Sequence, residues 1–187
     1  LNIDPEKIKE CITPKTKAII AVDFTGHAAN LEAIGEIAKN NNLAFIEDAA
    51  HALGTTYKGK KVGSIADMTT FSLHPVKHIT TGEGGLVVTN DSDLAERLRR
   101  FRNHGISRDH HQRQEQGTWS YDMEEIGYNY RLTELNSVLG ISQLQKLPIL
   151  LERRKEIAAR YNDAFSKISQ LTPPTAHPDC ESAWHLY

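Results

Sequence analysis

The fold is decided by two short apolar segments, Lys17-Ala18-Ile19-Ile20-Ala21-Val22-Asp23 and Leu43-Ala44-Phe45-Ile46-Glu47-Asp48. Continuous apolar runs of this length are typical of strands that are buried on both faces. Between them, Asn30 is placed to cap a helix whose apolar residues recur at helical spacing: Leu31, Ile34, Ile37 and Ala38. A strand, a helix and a second strand in this order predict a right-handed βαβ unit with parallel strands.

The remaining patterns extend this unit to an α/β domain with a helical end. Asp4-Pro5 predicts a helix start, because an acidic cap precedes a proline at the first helical position. A hairpin is expected over 55–63, strands over 68–73 and 85–89, and a helix around 94–101. The polar stretch 104–120 predicts a surface loop. Thr133 then opens a helix that Pro148 bends or ends, and a second helix follows over 150–165.

Composition argues against several classes of protein. The chain has 187 residues, about one domain, and 39% of them are hydrophobic, so a folded core is expected. The 22 basic and 24 acidic residues leave a net charge of −2, which argues against nucleic-acid binding. No apolar run approaches the ~18–20 residues that span a bilayer, so no membrane partner is expected. The two cysteines, Cys11 and Cys180, form no disulfide framework, which favours a reducing, cytoplasmic compartment.

Reactive side chains follow two of the predicted strands. Asp48 closes one strand, and the turn after Phe71-Ser72 leads to Lys77. Ligands of parallel sheets bind outside the carboxyl ends of the strands, so these side chains are candidates for one site. Pyridoxal phosphate (PLP) needs such a pair, a lysine that binds it covalently and an acid that faces its ring nitrogen. By position alone, a solvated lysine and a helix-capping aspartate are the more common interpretation.

Four motifs favour the cofactor site. They are Glu47-Asp48-Ala49-Ala50-His51-Ala52-Leu53-Gly54, Phe71-Ser72-Leu73-His74-Pro75-Val76-Lys77, Thr81-Gly82-Glu83-Gly84-Gly85 and Gly127-Tyr128-Asn129-Tyr130-Arg131-Leu132. In this order they resemble the DegT/DnrJ/EryC1/StrS aminotransferases, fold-type-I PLP enzymes that act on nucleotide-linked keto sugars. The first three lie near the predicted strand ends, and the fourth precedes the helix that Thr133 opens.

The resemblance has implications for both substrate and fold. The His-Pro-Val-Lys form and the residues from Tyr128 to Glu134 are most similar to the pseudaminic-acid-pathway subgroup. Members of that subgroup aminate C4 of a UDP-linked 4-keto-6-deoxy-N-acetylhexosamine. The implied fold is α/β, the large domain of a fold-type-I PLP-dependent transferase. It has a mostly parallel sheet flanked by helices and a helical C-terminal segment.

The resemblance also implies roles for five residues near the strand ends. Lys77 would hold PLP covalently and then move protons between the cofactor and the sugar carbon. Asp48 would pair with the ring nitrogen, and the small Ala50 would pack against one face of the ring. His51 would lie near the phenolic oxygen of the cofactor, and Ser72 would hydrogen-bond its phosphate.

A homodimer with a shared site follows from the same resemblance. Asn129 would reach the cofactor phosphate of the neighbouring subunit, and Arg131 would brace its loop or meet the sugar nucleotide. The alternative is that Tyr128 and Tyr130 merely pack against their own helix. His185 would lie near the sugar nucleotide, as a histidine often does at this point of the family.

The same family comparison suggests a division of the chain. Residues 1–147 would belong to the PLP-binding large domain. Residues 148–187 would form a linking helix and the start of a small C-terminal domain. No signal-peptide pattern is visible, and family members extend further at both ends, so the chain is expected to be a fragment.

Two other functions stay open beside an aminotransferase that takes its amino group from glutamate. PLP-dependent sugar dehydratases of the same family carry histidine at the position of Lys77, so the lysine favours the aminotransferase. A silent binding or regulatory protein on this fold would be expected to have lost Lys77 or Asp48, and both are present. A metal site is not expected, because Pro75 breaks the helix that would present His74 and His78 together.

Overall fold

The computed structural model describes residues 1–106, 117 and 122–187. They form two compact units: one comprises Leu1–Thr89 with Glu134–Tyr187, and the other comprises Asn90–Thr133. Most of the surface loop expected over 104–120 lies outside the described residues. No helix among the described residues is long and apolar enough to cross a membrane.

The order of strands and helices confirms the predicted α/β class. The strands are β1 Ala18–Val22, β2 Ala44–Asp48, β3 Thr56–Tyr57, β4 Lys60–Lys61, β5 Met68–Ser72, β6 Gly85–Val88 and β7 Cys180–Glu181. The helices are α1 Pro5–Cys11, α2 Leu31–Asn40, α3 Ser92–Phe101 and α4 Glu134–Phe165, with a 3₁₀ turn at Phe24–Gly26. The main sheet has the order β1-β2-β5-β6, in which only β6 runs antiparallel to its neighbour.

One face of the main sheet forms the hydrophobic core. In the register of β1 and β2, Ile19 pairs with Phe45 and Ala21 pairs with Glu47, and all four side chains are buried. The apolar stripe of α2 belongs to the same buried cluster, and α2 contacts both strands. The alternation of side chains along a strand therefore sets the core on one face.

The opposite face of the sheet is open within this unit. Ile20 and Val22 expose 60% and 42% of their surface there. Asp48 lies opposite Thr70 in the pairing of β2 with β5, and Ser72 follows Thr70 by two residues. Side chains two residues apart share a face, so Asp48 and Ser72 lie on the open face at the carboxyl ends of their strands.

The predicted helix starts are confirmed by their caps. The Asp4 carboxylate accepts the backbone amide of Glu6 at 3.0 Å, directly before Pro5. Asn30 caps α2 by accepting the backbone amide of Ala33 at 3.2 Å. Each cap satisfies a backbone donor that the first helical turn leaves without a partner.

Helix α4 corrects one expectation. Pro148 lies inside a continuous helix over Glu134–Phe165, so the division into two helices was wrong. A proline removes one helical hydrogen bond, and this region of α4 is exposed, so water can take the released carbonyl. The domain boundary expected at 147/148 stays a prediction.

A small second sheet joins the C-terminal end of the chain to the predicted hairpin. The hairpin of β3 and β4 is confirmed, and β7 adds to it in the order β4-β3-β7, with Tyr57 paired to Cys180. The sequence did not predict β7, because a strand of two residues shows no periodicity.

Candidate active site

Asp48 ends β2 on the open face of the sheet. Its Oδ1 accepts the backbone amide of Ala50 at 3.1 Å, so the turn after the strand orients the carboxylate. The backbone amide of Asp23 donates to the carbonyl of Asp48 at 3.0 Å, which ties the ends of β1 and β2 together. The side chain of Ala50 adds only a methyl group beside this carboxylate.

Lys77 lies in a loop that folds back on the end of β5. The backbone amide of Lys77 donates to the carbonyl of His74 at 3.0 Å, which forms a turn, and Thr81 donates to the carbonyl of Leu73 at 3.1 Å. Ser72 Oγ accepts the backbone amide of His74 at 3.4 Å, so its own hydroxyl hydrogen can still be donated. The loop thus holds a half-buried lysine and a serine hydroxyl at the end of one strand.

His51 connects these two parts of the site. Burial lowers the pKa of His51, the positive charge of Lys77 lowers it further, and the negative charge of Asp48 opposes both. The imidazole therefore lies within electrostatic range of both the lysine and the carboxylate. Lys77, which follows β5, thus lies within electrostatic range of His51, which follows Asp48 at the end of β2.

Three histidines form a cluster around this point. The ring centres of His51 and His185 are 4.5 Å apart, and those of His185 and His78 are 5.3 Å apart. Phe24 closes one side, with its ring centre 5.7 Å from that of His51. The Nδ1 atom of each histidine is buried and has no hydrogen-bond partner among the residues described.

The cluster is electrostatically neutral. Burial is the main cause that lowers the pKa of His185 to about 4, and His51, Lys77 and Arg154 add to it. Burial, followed by Arg154 and His185, lowers the pKa of His78 to about 4. With neutral imidazoles, the charges among the described residues that act on this cluster are those of Lys77, Asp48 and Arg154.

Sequence reasoning missed His78 and Arg154 as parts of the site. His78 is 4% exposed, and its Nε2 donates to the carbonyl of Ala183 at 3.1 Å. Arg154 of α4 donates from Nη1 to the carbonyls of Trp184 and His185 at 3.1 and 3.3 Å. Both residues hold the segment that carries His185. The position of His78 next to Lys77 was the one local signal for it.

A tight backbone contact fixes the other side of that segment. Thr25 and Gly26 have positive φ angles of 63° and 97°. The carbonyl of Thr25 accepts the backbone amide of His185 at 2.8 Å, and the carbonyl of Gly26 accepts that of Ala183 at 3.0 Å. The 3₁₀ turn after β1 therefore positions His185 in front of His51.

Asn129 and Arg131 belong to the second unit, which also contains α3. Asn129 forms an antiparallel bridge with Asn103, and Arg131 Nη1 donates to the Asn103 side chain at 2.7 Å. This hydrogen bond links Arg131 to the residues that follow α3, and both expected roles of Arg131 stay predictions. Tyr128 stacks on Tyr130 at 4.7 Å and meets the edge of Phe101 at 5.1 Å, so these rings pack on each other and on α3.

The described histidines, cysteines and acids form no group of three or more that could hold a metal ion. His74 and His78, which the sequence considered as a pair, differ in environment. His74 is exposed, and His78 is buried against Ala183. The donor set of the site is a lysine, a carboxylate, a serine hydroxyl and neutral imidazoles. Such a set fits an organic cofactor with a ring nitrogen and a phosphate.

Comparison with known proteins gives the class. Residues 1–187 match the DegT/DnrJ/EryC1/StrS aminotransferase family, and the chain belongs to that family. This confirms the resemblance that the four motifs carry.

Individual relatives match the chain over its whole length. The spore coat polysaccharide biosynthesis protein SpsC of Bacillus subtilis is 44% identical over 188 residues, and the match covers 100% of this chain and 48% of SpsC. The UDP-4-amino-4,6-dideoxy-N-acetyl-beta-L-altrosamine transaminase of Helicobacter pylori is 40% identical over 188 residues, with the same two shares covered.

A solved structure shows the same fold. The sugar aminotransferase Spr1654 from Streptococcus pneumoniae, in its PLP form, superposes with a TM-score of 0.86 at 32% identity. The superposition covers 100% of this chain and 50% of that one. The chain thus has the fold of sugar aminotransferases and spans about half the length of the relatives that it matches.

Proposed function

We propose that the protein is a PLP-dependent aminotransferase that transfers an amino group to C4 of a nucleotide-linked keto sugar. One observation carries the proposal: Asp48 and the loop that carries Lys77 lie at the carboxyl ends of the neighbouring parallel strands β2 and β5. Membership of the family and the named activity of the Helicobacter pylori relative support it.

The residues of the site fit PLP. Lys77 would bind the cofactor covalently through Nζ, and Asp48 would accept a hydrogen bond from its ring nitrogen. Ala50 leaves room for a flat ring beside the Asp48 carboxylate, and the free hydroxyl hydrogen of Ser72 suits a phosphate oxygen. The buried Nδ1 atom of His51 has no partner among the described residues and is available to a polar group of the cofactor.

The chain's own residues would then perform the transfer of protons. When bound, PLP supplies an electron sink that stabilises negative charge at the reacting carbon. Lys77 Nζ would take and return the proton at that carbon, because its loop holds it at the strand ends. The imidazole of His185 stays neutral at physiological pH, so it suits a hydrogen bond to a sugar hydroxyl or phosphate.

A homodimer would complete the site. Leu135, Val138 and Ile141 of α4 expose 85%, 65% and 63% of their surface, a large apolar area for a surface helix. We assign this face to contact with a second copy of the chain, whose Asn129 would reach the cofactor phosphate. Arg131 would then position that loop through Asn103.

Glutamate is the proposed amino donor, and the cytoplasm is the proposed location. A reducing compartment suits Cys11 and Cys180, which are both free. The competing functions make different predictions. A dehydratase would release water from the sugar without consuming glutamate, and a silent protein would bind no PLP.

The full-length protein with added PLP provides the test. A visible absorption band that borohydride fixes covalently on Lys77, found by peptide mapping, would support the cofactor assignment. Consumption of glutamate with amination at C4 of a UDP-linked 4-keto sugar would support the activity. Amination at another carbon, or dehydration alone, would contradict it.

A further inference from the structure

Two acids are buried behind the site, on the core face of the sheet. Asp23 and Glu47 expose none of their surface. Asp23 follows β1 on the face that carries Ala21, and Ala21 pairs with Glu47 across the strands. The two carboxyl groups are therefore neighbours, and neither belongs to the open face that carries Asp48.

Each acid has donors for only one of its oxygens. Asp23 Oδ1 accepts the backbone amide of Ala29 at 2.8 Å. Glu47 Oε2 accepts the hydroxyl of Thr69 at 2.6 Å and the backbone amide of Gly63 at 3.1 Å. Asp23 Oδ2 and Glu47 Oε1 are buried, and within the described chain no N–H or hydroxyl donor reaches them.

The two remaining oxygens can form a hydrogen bond with each other only if one of them carries a proton. Asp23 Oδ2 and Glu47 Oε1 are both buried without a partner among the described residues, and the strand register makes their carboxyl groups neighbours, so a hydrogen bond between them would satisfy both. Ionised carboxylates are acceptors without a donor, so one of the two must carry a hydrogen for this bond to form. A buried carboxylate oxygen without any donor would be strongly destabilising.

The surrounding charges lead to the same requirement. Glu47 and Asp48 are the charged groups that act on Asp23 within the described residues, and both are acidic. The negative charge of Asp23 also raises the pKa of the Cys180 thiol, after the larger effect of burial. With no cation among these neighbours, two ionised carboxylates would repel each other in a buried site.

We propose that Asp23 and Glu47 share one proton between Oδ2 and Oε1, and that this proton-linked pair positions the turn which shapes the candidate active site. The pair acts through the residues that follow Asp23. Phe24 contacts His51, and Thr25 holds the backbone of His185. The shared proton is argued from contacts within this chain alone. Only its importance for catalysis rests on the proposed function.

The pH dependence of the pair follows from its burial. Burial, followed by the charge of Glu47, raises the pKa of Asp23 from 3.8 to about 8. Between these two values the folded chain binds a proton that the unfolded chain has lost. The stabilisation is therefore complete below 3.8 and is lost as the pH rises through about 8.

Isosteric amides test the proton without removing the hydrogen bond. In Asp23→Asn or Glu47→Gln, an amide N–H replaces the shared proton, and the remaining acid is ionised. The pair keeps a single negative charge in both variants. Glu36→Gln, on the exposed face of α2, is the matched control.

Infrared difference spectroscopy of the full-length protein without cofactor is the first measurement. At neutral pH we expect a carbonyl band of a buried, protonated carboxyl group that shifts in heavy water. The wild type and Glu36→Gln should show this band, and both amide variants should lack it. Its absence from the wild type, or its persistence in both amide variants, would overturn the shared proton. The wild-type spectrum decides even where a variant fails to fold.

Unfolding by urea across the same pH range is the second measurement. Relative to Asp23→Asn, the wild type and Glu36→Gln should lose stability as the pH rises from 3.8 to about 8. A difference between the wild type and Asp23→Asn that stays constant with pH would overturn the proposal.

A third measurement separates positioning from simple stabilisation. The imidazole NMR signals of His51 and His185 in the apo protein should shift as the wild type passes about pH 8, and Glu47→Gln should not show this step. Equal signals in both proteins would contradict the positioning role. Failure of the wild type to bind PLP with the infrared band present would contradict the proposed function alone. Loss of the band with PLP binding intact would contradict the pair alone.

Discussion

Lys77 is the residue on which the proposed chemistry depends. Its removal takes away both the covalent attachment of PLP and the proton carrier. We expect Lys77→Ala in the full-length protein to lose the borohydride-fixed band and to reduce turnover by at least about a hundredfold. Lys61→Ala, an exposed lysine of β4, is the control that should keep both. Near-normal turnover in Lys77→Ala would contradict the assignment.

Asp48 has a separable role. Asp48→Asn keeps the shape of the side chain and its contact with Ala50, but the amide does not stabilise a protonated ring nitrogen. PLP should still bind, while turnover should fall by roughly 10²–10³, as for other single electrostatic contacts. Absorbance titration with PLP and steady-state rates measure the two effects. Asp163→Asn, on the exposed surface of α4, should change neither.

Because His78 is buried, we expect the free energy of unfolding to decrease at acidic pH. The folded pKa of His78, about 4, lies below the ordinary 6.5, so the folded chain binds fewer protons in this range. Stability should be complete above 6.5 and should be lost as the pH falls through about 4, by up to roughly 3 kcal/mol. His78→Gln should reduce this loss, since its amide can still donate to Ala183. Urea unfolding measures it, and the exposed His177→Gln should behave as the wild type.

At the scale of structural elements, the 3₁₀ turn after β1 packs closely against the backbone of the segment that carries His185. A Cβ on Gly26 would lie 2.9 Å from the backbone nitrogens of both Trp184 and His185, at a φ of +97°. Gly59, in the hairpin, also has a positive φ of +74°, but nothing lies within 4 Å of its Cβ position. Substitution of Gly59 therefore reports backbone strain alone, whereas substitution of Gly26 reports strain together with the steric clash.

We expect Gly26→Ala to destabilise the protein by more than Gly59→Ala. The control should cost about 1–2 kcal/mol, the penalty of the left-handed conformation alone. The clash in Gly26→Ala should add about 1–3 kcal/mol and should disturb His185, because the backbones must separate. Urea unfolding of both variants measures the difference, and equal losses would show that the close approach is unimportant.

At the scale of the whole molecule, the proposed homodimer predicts complementation. Lys77→Ala and Asn129→Asp would each inactivate a homodimer, because every site needs Lys77 from one chain and Asn129 from the other. Mixed dimers should regain one intact site of two and a corresponding share of the wild-type turnover. Verified mixed dimers without any activity would contradict a site that is shared between chains.

The apolar face of α4 gives an independent test of the same dimer. Val138→Asp would place a charge in the proposed contact, and Glu152→Asp, a conservative change at an exposed position, is the control. The first variant should be monomeric in sedimentation at concentrations where the control is a dimer, because a charge without a partner is costly at an apolar interface. If Val138→Asp were still a dimer, the apolar face of α4 would not be the dimer contact.

The sequence by itself determined the parallel strands, the helix caps and the placement of Asp48 and Lys77 at strand ends. These features depend on neighbours within a few residues, such as the alternation that separates the Glu47 face from the Asp48 face. The four motifs also identified the family, and the comparison with known proteins confirms it. Local patterns of this kind can be read directly, because hydrogen bonds in helices and strands follow fixed spacings.

Only the tertiary structure decided the histidine cluster, the buried acid pair and the continuity of α4. His78 meets the carbonyl of Ala183 across 105 residues of chain, and Asp23 meets Glu47 because two strands lie in one register. The helix continues through Pro148 because this part of α4 is exposed, so water can hydrogen-bond the carbonyl that the proline leaves without a donor. Helix propensity alone does not predict this exposure. Burial and contacts between distant segments set the protonation of the histidines and of the two buried acids. The protonation of these side chains therefore depends on the tertiary structure and does not follow from the sequence motifs.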